Sequence, residues 1–358
     1  MKIFVGMSGG VDSSVAALLL KRQGYDVEGV FMKNWEDDDE PGVCTAAQDL
    51  SDAKSVCNRL GIPLRTVNFS QQYWDRVFTH CLEVFRVGAT PNPDVLCNQE
   101  IKFQAFLDYC LAQGADKIAT GHYARIESQN GEPRLLKGLD DNKDQSYFLY
   151  RVKAEALNHA LFPIGELPKT QVRQIAETEN FITHDKKDST GICFIGERKF
   201  DAFLKEYLPT KPGLMKTPNG ETVGQHDGLM FYTLGQRQGL QIGGLKTGNG
   251  EPWYVVDKNI TDNVLVVAQG KDHPLLLSRS VIATDLNWVT KPSKELVAAK
   301  VRYRQKDVPC RIMMLDENEL RIEFETPVRS VTPGQSLVLY DGDICLGGGI
   351  IAYRGNHD

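Results

Sequence analysis

The first 126 residues alternate short apolar runs with stretches whose hydrophobic positions recur at helical spacing. Strand-length runs fall at 2–7, 26–32, 64–69 and 117–121, and helical patterns at 12–23, 46–60, 71–87 and 98–113. This alternation predicts a parallel sheet covered by helices, with ligands at the carboxyl ends of the strands. Residues 127–208 read as largely helical, with segments near 154–161, 168–179 and 198–207. From about 210, Pro212-Gly213 and Pro218-Asn219-Gly220 divide the chain into short strands such as "WYVVDK" and "VLVVAQG". From about 280, strand follows strand: "ELVAAKVRY", "CRIMML", "ELRIEFE", "SLVLYDG", "ICLGGGIIAY". The pattern predicts an α/β N-terminal domain with a helical extension over 1–208, a small central β-rich domain over 209–277 and a C-terminal β barrel over 278–358.

The stretch between the first strand and the first helix carries candidate chemistry. Ser8, Gly9, Gly10, Val11, Asp12, Ser13 and Ser14 join an apolar run to "VAALLLKR". Glycine lets the backbone approach a ligand closely, and a helix start offers unpaired N–H groups with a partial positive charge. The loop is therefore an anion site. It lacks the G-x-x-x-x-G-K-[ST] pattern, so no lysine of its own is expected on the terminal phosphates. "SGGVDSS" instead resembles the loop of enzymes that split ATP between its α and β phosphates and release pyrophosphate. "ATGHYAR" leaves a second strand end and is expected to bring Gly121 and His122 near the nucleotide, with Met32 on the same rim.

Composition adds the setting. At 358 residues, 41% hydrophobic and 25% charged, the chain has the make-up of an ordinary soluble protein of two or three domains. No apolar stretch reaches membrane-spanning length. The chain passes straight into its first strand, so neither a signal nor a transit peptide is expected, and a reducing cytoplasm is the expected setting. The net charge of −6 argues against a broad electrostatic affinity for nucleic acid but leaves room for a local basic patch. Residues 279–311 are such a patch, with eight Lys or Arg against three acids. Within it Arg302-Tyr303-Arg304 interleaves an aromatic with cations, a mixture suited to phosphate contact and base stacking.

The eight cysteines include no C-x-x-C pair and no nearby histidine cluster, so a zinc or iron–sulfur site is not expected. Cys57, Cys81 and Cys110 lie in helical apolar patterns, and Cys310 and Cys345 in strand-like runs; all five read as small core residues. Cys44 follows an acidic run and reads as a loop thiol without a role. Cys97 and Cys193 differ. Cys97 ends the loop "TPNPDVLCN" and is expected to open the helix containing Phe103 and Phe106, where a thiol has its pKa lowered from the usual ~8.5. Cys193 lies in "DSTGICFIGER", after a Ser-Thr-Gly turn. On local sequence alone, two buried structural thiols remain an alternative.

Taken in order, "SGGVDSS", "NPDVLCN", "ATGHYAR", "KDQSYFLY", "DSTGICFIGERKF" and "YTLGQRQGL" resemble the tRNA-specific 2-thiouridylase family over essentially the whole chain. The resemblance implies an adenine nucleotide alpha hydrolase-like first domain and an enzyme that replaces O2 of the wobble uridine of tRNA with sulfur. It implies ATP, with Mg2+, held by Gly6, Met7, Ser8, Gly9, Gly10, Val11, Asp12 and Ser13, with Met32 and Gly121 flanking the adenosine. Cys193 corresponds to the cysteine that receives sulfur as a persulfide, and Cys97 to its nucleophilic partner. Asp94 corresponds to an acid or base near the target base, with Asn92 and Pro93 shaping its pocket. Further tRNA contacts are implied at His122, Lys143, Asp144, Gln145, Arg302, Tyr303, Arg304 and Gln335. The implied partners are tRNA (Lys, Glu and Gln acceptors) and a sulfur donor, either a cysteine desulfurase or a sulfur-relay protein, with no membrane and no metal cluster.

Two other functions fit parts of the pattern. Ligases that activate a substrate with ATP and add nitrogen use the same loop but need no pair of reactive thiols. A nucleotide-gated RNA-binding protein would use the loop and the basic patch but leave both cysteines idle.

Overall fold

The computed structural model describes residues 1–35, 45–188, 200–242 and 250–355. Strands β1 (Lys2–Gly6), β2 (Asp26–Lys33), β3 (Leu64–Asn68), β4 (Lys117–Ala119) and β7 (Ala160–Leu161) form a parallel sheet in the order β3-β2-β1-β4-β7. Both faces are covered, which is why its central strand β1 is a nearly continuous apolar run. Ile3 and Val5 pack on one side with Val15, Ala16 and Val172, while Phe4 packs on the other with Val30, Phe106 and Ile118. The helices are α1 (Val11–Arg22), α2 (Thr45–Leu60), α3 over 70–86 and α4 over 93–112. The middle of α3, Trp74–Phe78, and of α4, Cys97–Ala105, is wound as π-helix. Further along lie α5 (Ser146–Leu149), α6 (Ala154–Asn158), α7 (Lys169–Thr178) and α8 (Phe200–Tyr207).

The 127–208 region is not wholly helical. A hairpin of β5 (Ala124–Gln129) and β6 (Glu132–Lys137) turns at Asn130-Gly131, both with positive φ (55° and 87°). Asn-Gly is the usual dipeptide for this two-residue turn. The expected helix over 154–161 ends at Asn158 and yields to β7.

Strands β8 (Gly213–Lys216), β9 (Thr222–His226), β10 (Trp253–Asn259) and β11 (Val264–Gln269) form a four-stranded sheet in the order β10-β11-β8-β9. The last six strands are β12 (Leu277–Trp288), β13 (Leu296–Lys300), β14 (Val308–Met314), β15 (Glu319–Arg329), β16 (Ser336–Asp341) and β17 (Ile344–Gly355). They run β12-β15-β14-β13-β16-β17 and close by pairing β12 with β17, so the barrel leaves no open edge among these six. Val281, Ala299, Ile322, Leu337 and Leu339 fill its interior. Hairpin β5–β6 joins the same sheet through Leu135 and Leu136 opposite Cys345 and Ile344 on β17. The N-terminal part of the chain is thereby stitched to the barrel by backbone pairing. Among the described residues no helix is long and apolar enough to cross a membrane.

Candidate active site

The Gly-rich loop leaves the carboxyl end of β1. Gly10, extended at φ −100° and ψ 169°, is the N-cap of α1 and contributes no side-chain acceptor to the first turn. The donors of that turn are therefore not capped from within. The hydroxyls brace the loop instead: Ser13 and Ser14 donate to the Gly10 carbonyl at 3.2 and 2.8 Å, and the Ser8 N–H donates to Ser13 Oγ at 3.2 Å. Met7 continues the sheet, donating to the Val30 carbonyl at 2.8 Å.

Two glycines let other segments close on the loop. Gly9 has φ +71°, and a Cβ there would lie 2.3 Å from the Asp49 carbonyl oxygen on α2. Gly121, just past β4, would place a Cβ 2.7 Å from the Asp12 carbonyl carbon and the Ser13 nitrogen. Met32 sits on the same rim, its Cε 3.3 Å from where a Gly6 Cβ would be, with the Phe106 ring of α4 at 3.6 Å. The structure thus brings Gly6, Met32, Gly121 and the loop together.

Around this loop lies a charged network for which short-range sequence gives no signal. Asp12 accepts from Lys169 Nζ at 2.8 Å on both oxygens and from the Tyr123 hydroxyl at 2.7 Å. Lys169 also pairs with Asp188 at 2.7 Å, and Asp188 with Lys143 at 2.6 Å and Arg173 at 3.0 Å. Lys186 Nζ donates to the Gly9 carbonyl at 2.9 Å and to Asp49 and Asp52 at 2.6 and 2.5 Å. The buried Thr183 hydroxyl donates to Ser14 Oγ at 3.2 Å. These partners come from up to 177 positions away.

Burial works to raise the Asp188 carboxyl, but hydrogen bonds from Lys143 and Lys169 outweigh it and hold it at about 2, against an ordinary 3.8. A depressed acid stabilises the fold above its unfolded pKa and ceases to do so as pH falls through the folded value. Between pH 4 and 2 the wild-type chain should therefore lose more stability than Asp188→Asn. Equal slopes of the denaturant midpoint against pH in both proteins would remove Asp188 from the acid response.

Helix α4 carries Asn92, Pro93, Asp94 and Cys97, but it begins earlier than the sequence reading expects. Asn92 is its N-cap, Oδ1 accepting from the Val95 N–H at 3.3 Å, and Pro93 occupies the first turn. Asn and Pro at these two positions start a helix, so Cys97 does not open it. The thiol lies one turn in, fully buried at 0% exposure. That places it beyond the first-turn N–H groups of the helix. The loop before α4 is held by later parts of the chain. Thr90 N–H donates to the Pro333 carbonyl at 3.0 Å, and Gln335 Nε2 donates to the Thr90 and Pro91 carbonyls at 2.9 and 2.8 Å. Lys258, which burial lowers to about 8, donates to the Gly88 carbonyl at 2.7 Å.

The remaining cysteines divide cleanly. Burial pushes the Cys57 thiol up to about 11 and Cys310 to about 12, and raises Cys110 and Cys345 further. Cys81 rises to about 12 through burial first and the neighbouring Asp94 carboxylate second. All five are protonated core thiols. Cys44 and Cys193 lie outside the described residues.

Several residues expected on RNA are turned inward. His122 is buried between Phe103 and Phe162 and bonded to Thr120 Oγ1 at 2.7 Å. Burial, with Lys102 nearby, pulls its pKa well down and keeps it neutral. Asp144 is buried and accepts from the Gly138 and Ser146 N–H groups, the Ser146 hydroxyl and Lys300. Gln145 Oε1 accepts from the Tyr123 N–H at 3.0 Å. Arg302-Tyr303-Arg304 is not a strand face, because β13 ends at Lys300 and these residues form the turn to β14. Arg302 donates to the Leu234 carbonyl at 2.6 Å and so ties the barrel to the central part of the chain. Tyr303 packs against Phe148 with centroids 4.4 Å apart and the rings tilted by 44°, and only Arg304 of the three is exposed.

The profile of the tRNA methyl transferase HUP domain family matches residues 1–197. The tRNA methyl transferase PRC-barrel domain matches 201–269, and the aminomethyltransferase beta-barrel domain matches 278–351. A protein of Klebsiella pneumoniae named tRNA-specific 2-thiouridylase MnmA is 58% identical over 357 residues, covering 99% of this chain and 97% of its own. Its namesake in Shewanella amazonensis is 56% identical over 354 residues, covering 98% and 94%. The chain belongs to the tRNA-specific 2-thiouridylase family. Among solved structures, a 4-thiouridine synthetase–RNA complex with bound ATP is 17% identical, covers 54% of this chain and 44% of its own, and superposes at a TM-score of 0.35, too loosely to carry an argument. Lys169 and Lys186 lie outside every quoted motif; Tyr123 and Asp188 lie within "ATGHYAR" and "DSTGICFIGERKF", but their part in the network shows only in the fold.

Proposed function

We propose that this chain is an ATP-dependent tRNA-uridine 2-sulfurtransferase. The observation that carries the reading is an uncapped, lysine-flanked anion loop against which helix α4, carrying Asp94 and Cys97, is packed through Phe106. The loop from Gly6 to Ser13 would hold the triphosphate of ATP, with Mg2+ as its counter-ion, and Met32 and Gly121 would border the adenosine. Uracil O2 attacks the α phosphorus, pyrophosphate departs, and C2 acquires AMP as its leaving group. Cys193 carries the incoming sulfur as a persulfide from a donor protein. Either the terminal sulfur attacks C2 and Cys97 then cleaves the resulting disulfide, or Cys97 first releases hydrosulfide that attacks C2. Both routes expel AMP, leave 2-thiouridine and end with a Cys97–Cys193 disulfide that an external thiol must reduce. Asp94 would manage the proton at the target base, with Asn92 and Pro93 fixing its place at the helix start.

On this reading the working units are 1–208 for catalysis, 209–277 as a connecting β domain and 278–358 as a tRNA platform in a cytoplasmic enzyme. Arg304 and Lys143 would face the RNA, and Arg302, Asp144, Gln145, His122 and Gln335 would shape the surface through the internal bonds above. Incubation with ATP, a wobble-uridine tRNA and a sulfur source should yield AMP, pyrophosphate and 2-thiouridine in equal amounts, read by nucleoside mass analysis. Release of ADP, or AMP formation without thiolation, would overturn the proposal.

A further inference from the structure

The loop that faces the phosphates contains no cation, yet pyrophosphate is a multiply charged leaving group. Two lysines from far along the chain stand at the loop. Lys169, at the start of α7 and only 10% exposed, spans Asp12 and Asp188. Lys186 touches the loop backbone itself at the Gly9 carbonyl and is otherwise held by Asp49 and Asp52. With Lys143 and Arg173 on Asp188, all four of these cations are held by carboxylates at rest. Partly buried ion pairs of this kind are weak contributors to stability, because desolvation offsets most of their attraction. Their value lies elsewhere if an anion competes for the cations. An ammonium on a flexible stem, with three rotatable donors, changes partner readily. Burial works against the charge on Lys186, but Asp49 and Asp52 more than offset it and keep the group protonated for an incoming anion.

We propose that Lys169 and Lys186 are the pyrophosphate ligands of this site, parked on Asp12, Asp188, Asp49 and Asp52 and exchanged onto the β and γ phosphates when ATP binds. No covalent bond changes in the exchange; the carboxylates give up their ammonium partners and the phosphate oxygens take them. The inference rests on the proposed ATP site and names the residues that supply its missing positive charge. Lys186 and Lys169 would also stabilise the charge that grows on the bridging oxygen as pyrophosphate departs.

The test is calorimetric titration of inorganic pyrophosphate, and separately of AMP, into the full chain and its Lys186→Met, Lys186→Arg and Lys169→Met variants, with thermal melts to establish folding. Pyrophosphate affinity should fall at least tenfold in each Met variant, with AMP affinity changed less than twofold and partial recovery in Lys186→Arg. Asp49→Asn, which removes a resting competitor while keeping Lys186, should bind pyrophosphate more tightly than wild type and decides the matter even if a Met variant fails to fold. Unchanged pyrophosphate affinity in the folded lysine variants, or no gain in Asp49→Asn, overturns the inference while leaving the ATP site standing. A wild-type chain that binds neither pyrophosphate nor ATP overturns the site and this inference together.

Discussion

Replacing either Cys97 or Cys193 by serine is expected to suppress 2-thiouridine formation by roughly 10³-fold or more, the scale seen when one member of a catalytic unit is removed. Serine matches cysteine in shape, so the packing of the fully buried Cys97 within α4 is kept and the fold should persist. What is lost is the sulfur atom: a serine hydroxyl forms neither a persulfide nor a disulfide. Cys193→Ser should fail to accept labelled sulfur from a donor persulfide, whereas Cys97→Ser should accept it and stall. Both variants should still release pyrophosphate on the adenylation step and bind tRNA as wild type does. Wild-type enzyme run without reductant should stop after one turnover with a peptide containing Cys97 linked to one containing Cys193. Cys97 stands at the start of the π-helical stretch of α4, and π-helical turns are frequent at functional sites. Cys81→Ser is the informative comparison: it lies beside Asp94 in the core, so it should lower the melting temperature without halting chemistry. Thiolation at the wild-type rate by Cys97→Ser would end the two-thiol mechanism.

Much of this was legible in the sequence where a feature is local. The strand–loop–helix at 2–22 needs only apolar run, glycines and helical period, and it forms as read. The barrel was legible from repeated strands of alternating pattern. The β5–β6 hairpin was missed, although Asn130-Gly131 is a strong local turn signal, because the flanking "ARIESQ" and "EPRLLK" are polar enough to pass for surface helix. Taking "TPNPDVLCN" as loop puts Cys97 at a helix start, whereas Asn92 and Pro93 within it are the cap and first turn. The inward Arg302 was unreadable for a different reason. Nothing in "RYRQ" says which guanidinium meets a carbonyl on another part of the chain, here Leu234, 68 positions away. The same holds for Lys169 and Lys186, whose relation to the loop exists only after the sheet has folded.

The second large effect concerns the glycines that seat the loop. Gly121→Ala adds one methyl group at a position whose φ is not in the left-handed region, so no backbone strain is introduced there. The methyl carbon would nevertheless sit 2.7 Å from two main-chain atoms of Asp12 and Ser13 and 2.9 Å from Asp12 Cβ, distances that only movement can relieve. The mover is either the rim after β4 or the first turn of α1, and each displaces the N–H groups meant for phosphate. A shift of a few tenths of an ångström in several donors at once should weaken ATP binding by about tenfold to a hundredfold, the equivalent of one or two lost hydrogen bonds to a charged group. Gly9→Ala should be more severe, since it combines a φ of +71° with a contact of 2.3 Å to the Asp49 carbonyl oxygen and pushes α2 away from Lys186. Gly114→Ala separates strain from collision. Its φ is +84° but nothing lies within 4 Å of the added carbon, so it should cost about 1 kcal/mol of stability and leave ATP affinity alone. Calorimetric ATP titrations of the three variants, each checked by thermal melting, decide between the two causes. If Gly121→Ala binds ATP within twofold of wild type, the close approach of the β4 rim is not what shapes the phosphate site.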